Sequence, residues 1–168
     1  MLIYHPAFDL YNCIFRMLQL LSHMKHDEVE LERLRIWDFY LAFPRETQKI
    51  VFPQSLSELK KIFKQKEDNP YEDVLDTKKI IERMKSYQLA ALKCLASYDF
   101  IDIEALSKNV VKKTSKELPA ELKIELNNLT TEKANIIKLV LGFWDLPLHG
   151  VHGLKARTGL IEFKYDSK

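Results

Sequence analysis

Apolar positions recur with a helical period over most of the chain. Between Ala7 and His23, Phe8, Tyr11, Phe15 and Leu18 form one ridge, and Leu10, Ile14, Met17 and Leu21 form another. Two adjacent ridges make a wider apolar face than a solvent-facing helix needs. A polar connector, His23-Met24-Lys25-His26-Asp27, leads to a second helix from Glu30 to Phe43. Leu34, Trp37 and Leu41 lie beside Ile36, Tyr40 and Phe43 on it, and Pro44 ends it, because the residue before a proline is driven out of the helical region. Glu28, Glu30 and Glu32 fall at the start, where negative charge suits the helix dipole. Ser55 and Glu58 match a capping box ahead of Leu59, Ile62 and Phe63.

The stretch from Lys64 to Asp76 is densely polar, holds a proline and reads as a linker. A long helix follows from Thr77 to Tyr98, buried through Ile80, Met84, Tyr87, Ala91, Leu95 and Tyr98. Asp102 caps a short segment through Leu106. Asn109 to Thr114 fits either a short strand or the tail of that segment, and its valines favour strand. Pro119 opens a further helix, and Thr131 caps the next, which uses Ile136, Ile137, Leu139, Val140, Phe143 and Trp144 before Pro147 stops it. At the end Ile161, Phe163 and Tyr165 alternate with Glu162 and Lys164, the period of a half-buried strand. The expected fold is mainly α: a helical domain spanning 1–168, with a short C-terminal β element. The element order allows N-terminal helices over 1–66 and a winged-helix-like second half over 77–168.

Composition narrows the classes. At 168 residues, 46% of them hydrophobic, the chain is long and apolar enough to bury a core. Lys and Arg number 26 against 24 Asp and Glu, a net charge of +2, so no bulk field draws it to nucleic acid or to an anionic membrane. Only 4 glycines occur, too few for a β-sandwich or barrel. Cys13 and Cys94 sit apart in apolar stretches, as expected of small core residues in a reducing cytoplasm. Asp9 and Arg16 interrupt the N-terminal apolar positions, which argues against a secretory signal, and no apolar run is long enough to span a membrane.

Candidate chemistry concentrates near the C-terminus, where Gly150, Gly153 and Gly159 cluster. His149 and His152, three apart with Asp145 upstream, could ligate zinc or iron, but a glycine-flanked loop does not hold ring geometry as a helix does. Gly153 to Gly159 carries Lys155, Arg157 and Thr158, without the Walker spacing and with a strand expected where a phosphate loop needs a helix. A basic hairpin tip meeting a DNA backbone or an acidic partner fits Lys155 and Arg157 better. Lys108, Lys112, Lys113 and Lys116 form a modest basic group lacking interleaved aromatics for base stacking. Asp38, among Trp37, Phe39 and Tyr40, is expected to face Arg35 or Arg45 as a structural ion pair. No local signature of a nucleophile appears, and the residues alone argue against an enzyme, assigning no catalytic residue, metal or cofactor.

Three stretches then carry a resemblance: Leu34 to Pro44 (LRIWDFYLAFP), Asn69-Pro70-Tyr71-Glu72, and Gly153 to Leu160 (GLKARTGL). In that order, behind an opening MLIYHPAFDLYNCIFR, the chain resembles the small middle component of bacterial ABC-three-component systems, a group that includes Lamassu-type anti-phage and anti-plasmid systems. The resemblance implies a non-catalytic subunit that docks on an SMC-like ABC ATPase and helps to hold or restrain a nuclease-type effector. DNA would be reached mainly through the complex, with no membrane involved. Aromatics enriched at interface cores make Trp37, Tyr40 and Trp144 candidate contacts, Lys155 and Arg157 candidate exposed charges, and His149 and His152 candidates beside them. Two other readings stay open at this point: a stand-alone winged-helix DNA-binding regulator, and a small metal-dependent hydrolase using His149 and His152.

Overall fold

The computed structural model describes residues 4–64 and 76–163. The expected linker and the Asn69 to Glu72 stretch lie almost wholly outside the described residues, as do residues 164–168.

The protein is mainly helical. A short 3-10 turn at Pro6–Phe8 precedes α1 (Leu10–His23), so the first helix is broken at Asp9 rather than continuous from Ala7. Asp9 has an extended backbone and its carboxylate accepts from Tyr11 N at 3.0 Å, a cap that restarts the helix. α1 buries Cys13, Met17, Leu18, Leu20 and Leu21, while Leu10 and Tyr11, expected on the apolar ridges, are exposed. The strand β1 (Glu28–Glu30) comes next, where a helix start was expected, and α2 (Leu31–Ala42) follows at once. Ten of the twelve residues of α2 are buried, among them Arg33, Arg35 and Asp38.

3-10 turns at Pro44–Lys49 and Gln54–Leu56 lead to α3 (Ser57–Phe63). The expected capping box does not form: Ser55 lies within the turn, and Leu56 takes the cap position without a side-chain bond. α4 (Thr77–Ser97) starts on the Asp76 cap and crosses α1 and α2, burying Ile81, Met84, Gln88, Ala91, Leu92 and Leu95. Tyr98, expected inside, is an exposed helix end. Asp102 caps α5 (Ile103–Ser107) as its sequence predicts, and Val110–Lys112 forms β2. α6 (Ala120–Asn127) and α7 (Thr131–Gly142) complete the main helices, α7 being capped by Thr130 rather than Thr131. Among the described residues no helix is long and apolar enough to cross a membrane.

β1 and β2 pair antiparallel, with Glu28 opposite Lys112, Val29 opposite Val111 and Glu30 opposite Val110. Val29 and Val111 point into the core, and the alternate glutamates and lysine stay outside. No wing hairpin is found among the described residues. The segment expected to be its tip is instead a short helix, α8 (Leu154–Thr158), closed by Gly159 at φ 65°. Ile161 to Phe163 lie outside any strand.

Candidate functional site

The charged residues of α2 are the structural centre of the molecule. Asp38 is fully buried, and its partner is Arg16 of α1, with Nε donating at 2.6 Å and Nη2 at 3.3 Å, rather than Arg35 or Arg45. Gln88 of α4 donates to the same carboxylate at 2.9 Å. The Gln88 side chain also accepts from Arg35 Nε at 2.8 Å, joining three helices through one polar chain. Burial alone works against the Arg16 charge, but the Asp38 carboxylate outweighs it and holds the guanidinium pKa above its ordinary value. Burial, reinforced by Asp38, pushes the Cys13 thiol up, so it stays protonated and inert.

A second set of bonds ties α2 to the C-terminal segment. Arg33 pairs with Glu30 at 2.8 Å and also donates to the carbonyls of Phe143 and Leu146, at 3.4 and 2.7 Å. α7 itself ends at Gly142, five residues ahead of the Pro147 expected to stop it, with Phe143 N and Trp144 N donating back to Leu139 O and Leu141 O. Lys155, expected at an exposed tip, is 1% exposed and pairs with Glu32 at 2.5 Å. Leu154 N and Lys155 N donate to Pro147 O and Leu148 O at 2.8 and 3.1 Å. A Cβ on Gly153 would stand 2.2 Å from the His149 carbonyl oxygen, so this closure accepts only glycine there. Arg157 is half-buried and donates to His152 O at 2.7 Å and Val51 O at 3.1 Å, so it staples two loops. The charges expected at a wing tip are therefore part of the fold's internal bonding.

The aromatic candidates divide. Trp37 and Tyr40 are 1% and 2% exposed, packed with each other and, for Trp37, edge-on against Phe143, so they belong to the core and present no docking surface. Burial pushes the Tyr40 hydroxyl pKa upward. Trp144 is half-buried and stacks on His26 at 5.4 Å, forming one wall of a cleft of about 470 Å³ that Glu28, Glu30 and Arg33 also line. A second cleft, of about 550 Å³, shares Glu30 and Val110 with the first and reaches Arg35, Lys85, Lys108 and His149. His149 and His152 are both exposed, and among the described residues no three His, Cys, Asp or Glu side chains converge as a metal-binding group.

Arg16, Arg33 and Gln88 are the residues sequence reasoning missed. Their only signal is a polar group on an otherwise apolar helical face, with a possible counter-charge one helix away. Lys85 carries less signal, as one lysine on α4, and Lys108 stands out only within the basic group it forms with Lys112, Lys113 and Lys116.

A family described as MC5, ABC-three component (ABC-3C) system Middle Component 5, matches residues 2–166. No curated protein and no solved structure matches.

Proposed function

Because the chain belongs to the Middle Component 5 family of ABC-three-component systems, we propose that it is the non-catalytic accessory subunit of its system. In this reading residues 1–168 act as one cytoplasmic domain that docks on an SMC-like ABC ATPase. It helps to hold or regulate a nuclease-type effector, and it reaches DNA through the assembly in anti-phage or anti-plasmid defence. The ATP and DNA signals belong to the larger subunit, and the accessory chain supplies contacts that persist or change as that subunit moves.

The family match over residues 2–166 carries this reading. The placement of the reactive groups supports it: Asp38, Cys13 and Lys155 are held inside by bonds that maintain the fold. The half-buried Trp144, stacked on His26 beside an open cleft, supplies the kind of aromatic anchor that interface cores favour.

Co-expression with the ABC ATPase of its system tests the reading. A stoichiometric complex through affinity and size-exclusion steps is expected, weakened by Trp144→Ala. A stable, solitary monomer recovered beside a folded ATPase would overturn it.

A further inference from the structure

Arg35 differs from the other buried arginines. Arg16 and Arg33 each meet a carboxylate, whereas Arg35, only 5% exposed, forms no ion pair among the described residues. Its two bonds go to neutral acceptors, Nε to Gln88 Oε1 at 2.8 Å and Nη2 to Ile81 O at 3.2 Å. No hydrogen bond engages its Nη1 among the described residues. Arg35 lines the second cleft, together with Lys85 and Lys108. Burial lowers the Arg35 pKa from its ordinary value, with Glu82 and Glu32 opposing, yet a guanidinium keeps its charge at any physiological pH.

The surroundings decide which ligand this charge suits. Lys85 and Lys108 stand exposed at the rim, and neither forms an ion pair among the described residues. The wall carboxylates are already engaged, Glu30 by Arg33 and Glu32 by Lys155. The cleft's uncommitted charge is thus positive. Leu31, Leu89 and Leu148 supply an apolar lining, which a peptide side chain uses and an inorganic anion does not. A phosphate dianion would also meet Glu30 and Glu32 at close range, whereas a single carboxylate matches the forked guanidinium at lower cost.

We propose that this cleft receives a carboxylate side chain from an acidic, leucine-bearing segment of a partner protein, with Arg35 as the buried anchor and Lys85 and Lys108 as the steering charges. The proposal rests on the docking reading above and names the chemistry of its contact.

Two measurements separate the proposal from that reading. In the first, the isolated full chain is titrated with a capped Leu-Glu-Glu-Leu peptide, with inorganic phosphate and with a short DNA duplex, following the Arg35 Nε–H resonance. The peptide is expected to shift it at lower concentration than either other probe, and Lys85→Glu/Lys108→Glu is expected to weaken that response at least tenfold. No peptide shift, or a stronger response to phosphate or duplex, overturns the proposal whatever the co-purification gives. In the second, affinity for the purified ATPase or effector is compared between the wild type, Lys85→Glu/Lys108→Glu and the control Lys61→Glu on α3. A dissociation constant raised at least tenfold by the double variant alone is expected. Equal binding by all three overturns the proposal while leaving the docking reading intact.

Discussion

The two ends of α2 hold their charges in different ways. Toward its C-terminal end, Asp38 and Arg16 are closed off together, with side chains 0% and 5% exposed. Toward its N-terminal end, Glu32 keeps 36% of its side chain in contact with solvent although Lys155 is sealed at 2%, and Glu30 keeps 49% beside a sealed Arg33. When a closed pair loses one partner, the other charge has no water to turn to. When a half-open pair loses its lysine, the carboxylate hydrates. The closed end therefore serves the fold, and the half-open end lies where the clefts are and where a partner could compete for the same charges.

The sharpest way to break this comparison is Arg16→Met. It leaves the Asp38 carboxylate with Gln88 and a thiol, and it should cost about 3–5 kcal/mol in urea unfolding. Arg16→Met/Asp38→Leu should recover most of that loss, because no uncompensated charge remains. A single-variant cost under about 1 kcal/mol, the usual worth of an exposed pair, would mean that Asp38 is not closed off. Lys155→Met should cost less, about 1–2 kcal/mol, since Glu32 can rehydrate. Equal losses for Arg16→Met and Lys155→Met would erase the distinction between the two ends.

A smaller effect is expected from pH. His5 stacks on Phe43 at 4.7 Å, and its Nδ1 accepts from Ala7 N at 3.1 Å, a bond only the neutral ring can make. Burial, then the nearby Arg16 charge, lowers its pKa below the ordinary 6.5. The unfolded chain thus binds this proton first, so the contribution of His5 is complete above about pH 6.5 and declines as pH falls below it. Melting temperatures of the wild type should fall more steeply between pH 7 and 5 than those of His5→Asn, which retains a capping oxygen. Parallel profiles would remove His5 from the account. The smallest effect belongs to the half-open side: Lys85→Glu/Lys108→Glu should change unfolding free energy by no more than about 0.5 kcal/mol. A larger loss would make those lysines structural rather than steering charges.

Much of the helical layout could be read in advance. α4 spans Thr77–Ser97 where its periodicity places it, Asp102 caps α5, and the valines of Val110–Lys112 form a strand. β1 escaped notice because three residues with one buried valine carry almost no periodic signal, and the pairing that creates the strand comes from β2, far along the chain. α8 was hidden for a similar reason. It is five residues long, and what forms it is the docking of Leu154 and Lys155 onto Pro147, Leu148 and Glu32. Of the residues singled out for contact, Trp144 and the two histidines remain at the surface, whereas Trp37, Tyr40 and Lys155 went into the core.

The sequence by itself determined the mainly helical class, most of the long helices and the family, because apolar period and motif order are properties of the chain. Tertiary structure alone decided which charges lie inside and which face solvent. Arg16 meets Asp38 across 22 positions, Arg35 meets Gln88 across 53, and Arg33 meets Leu146 across 113. A lysine or arginine on an apolar helix can be buried only if an acceptor arrives from elsewhere in the fold, since the cost of removing a charge from water is offset only by a partner in place.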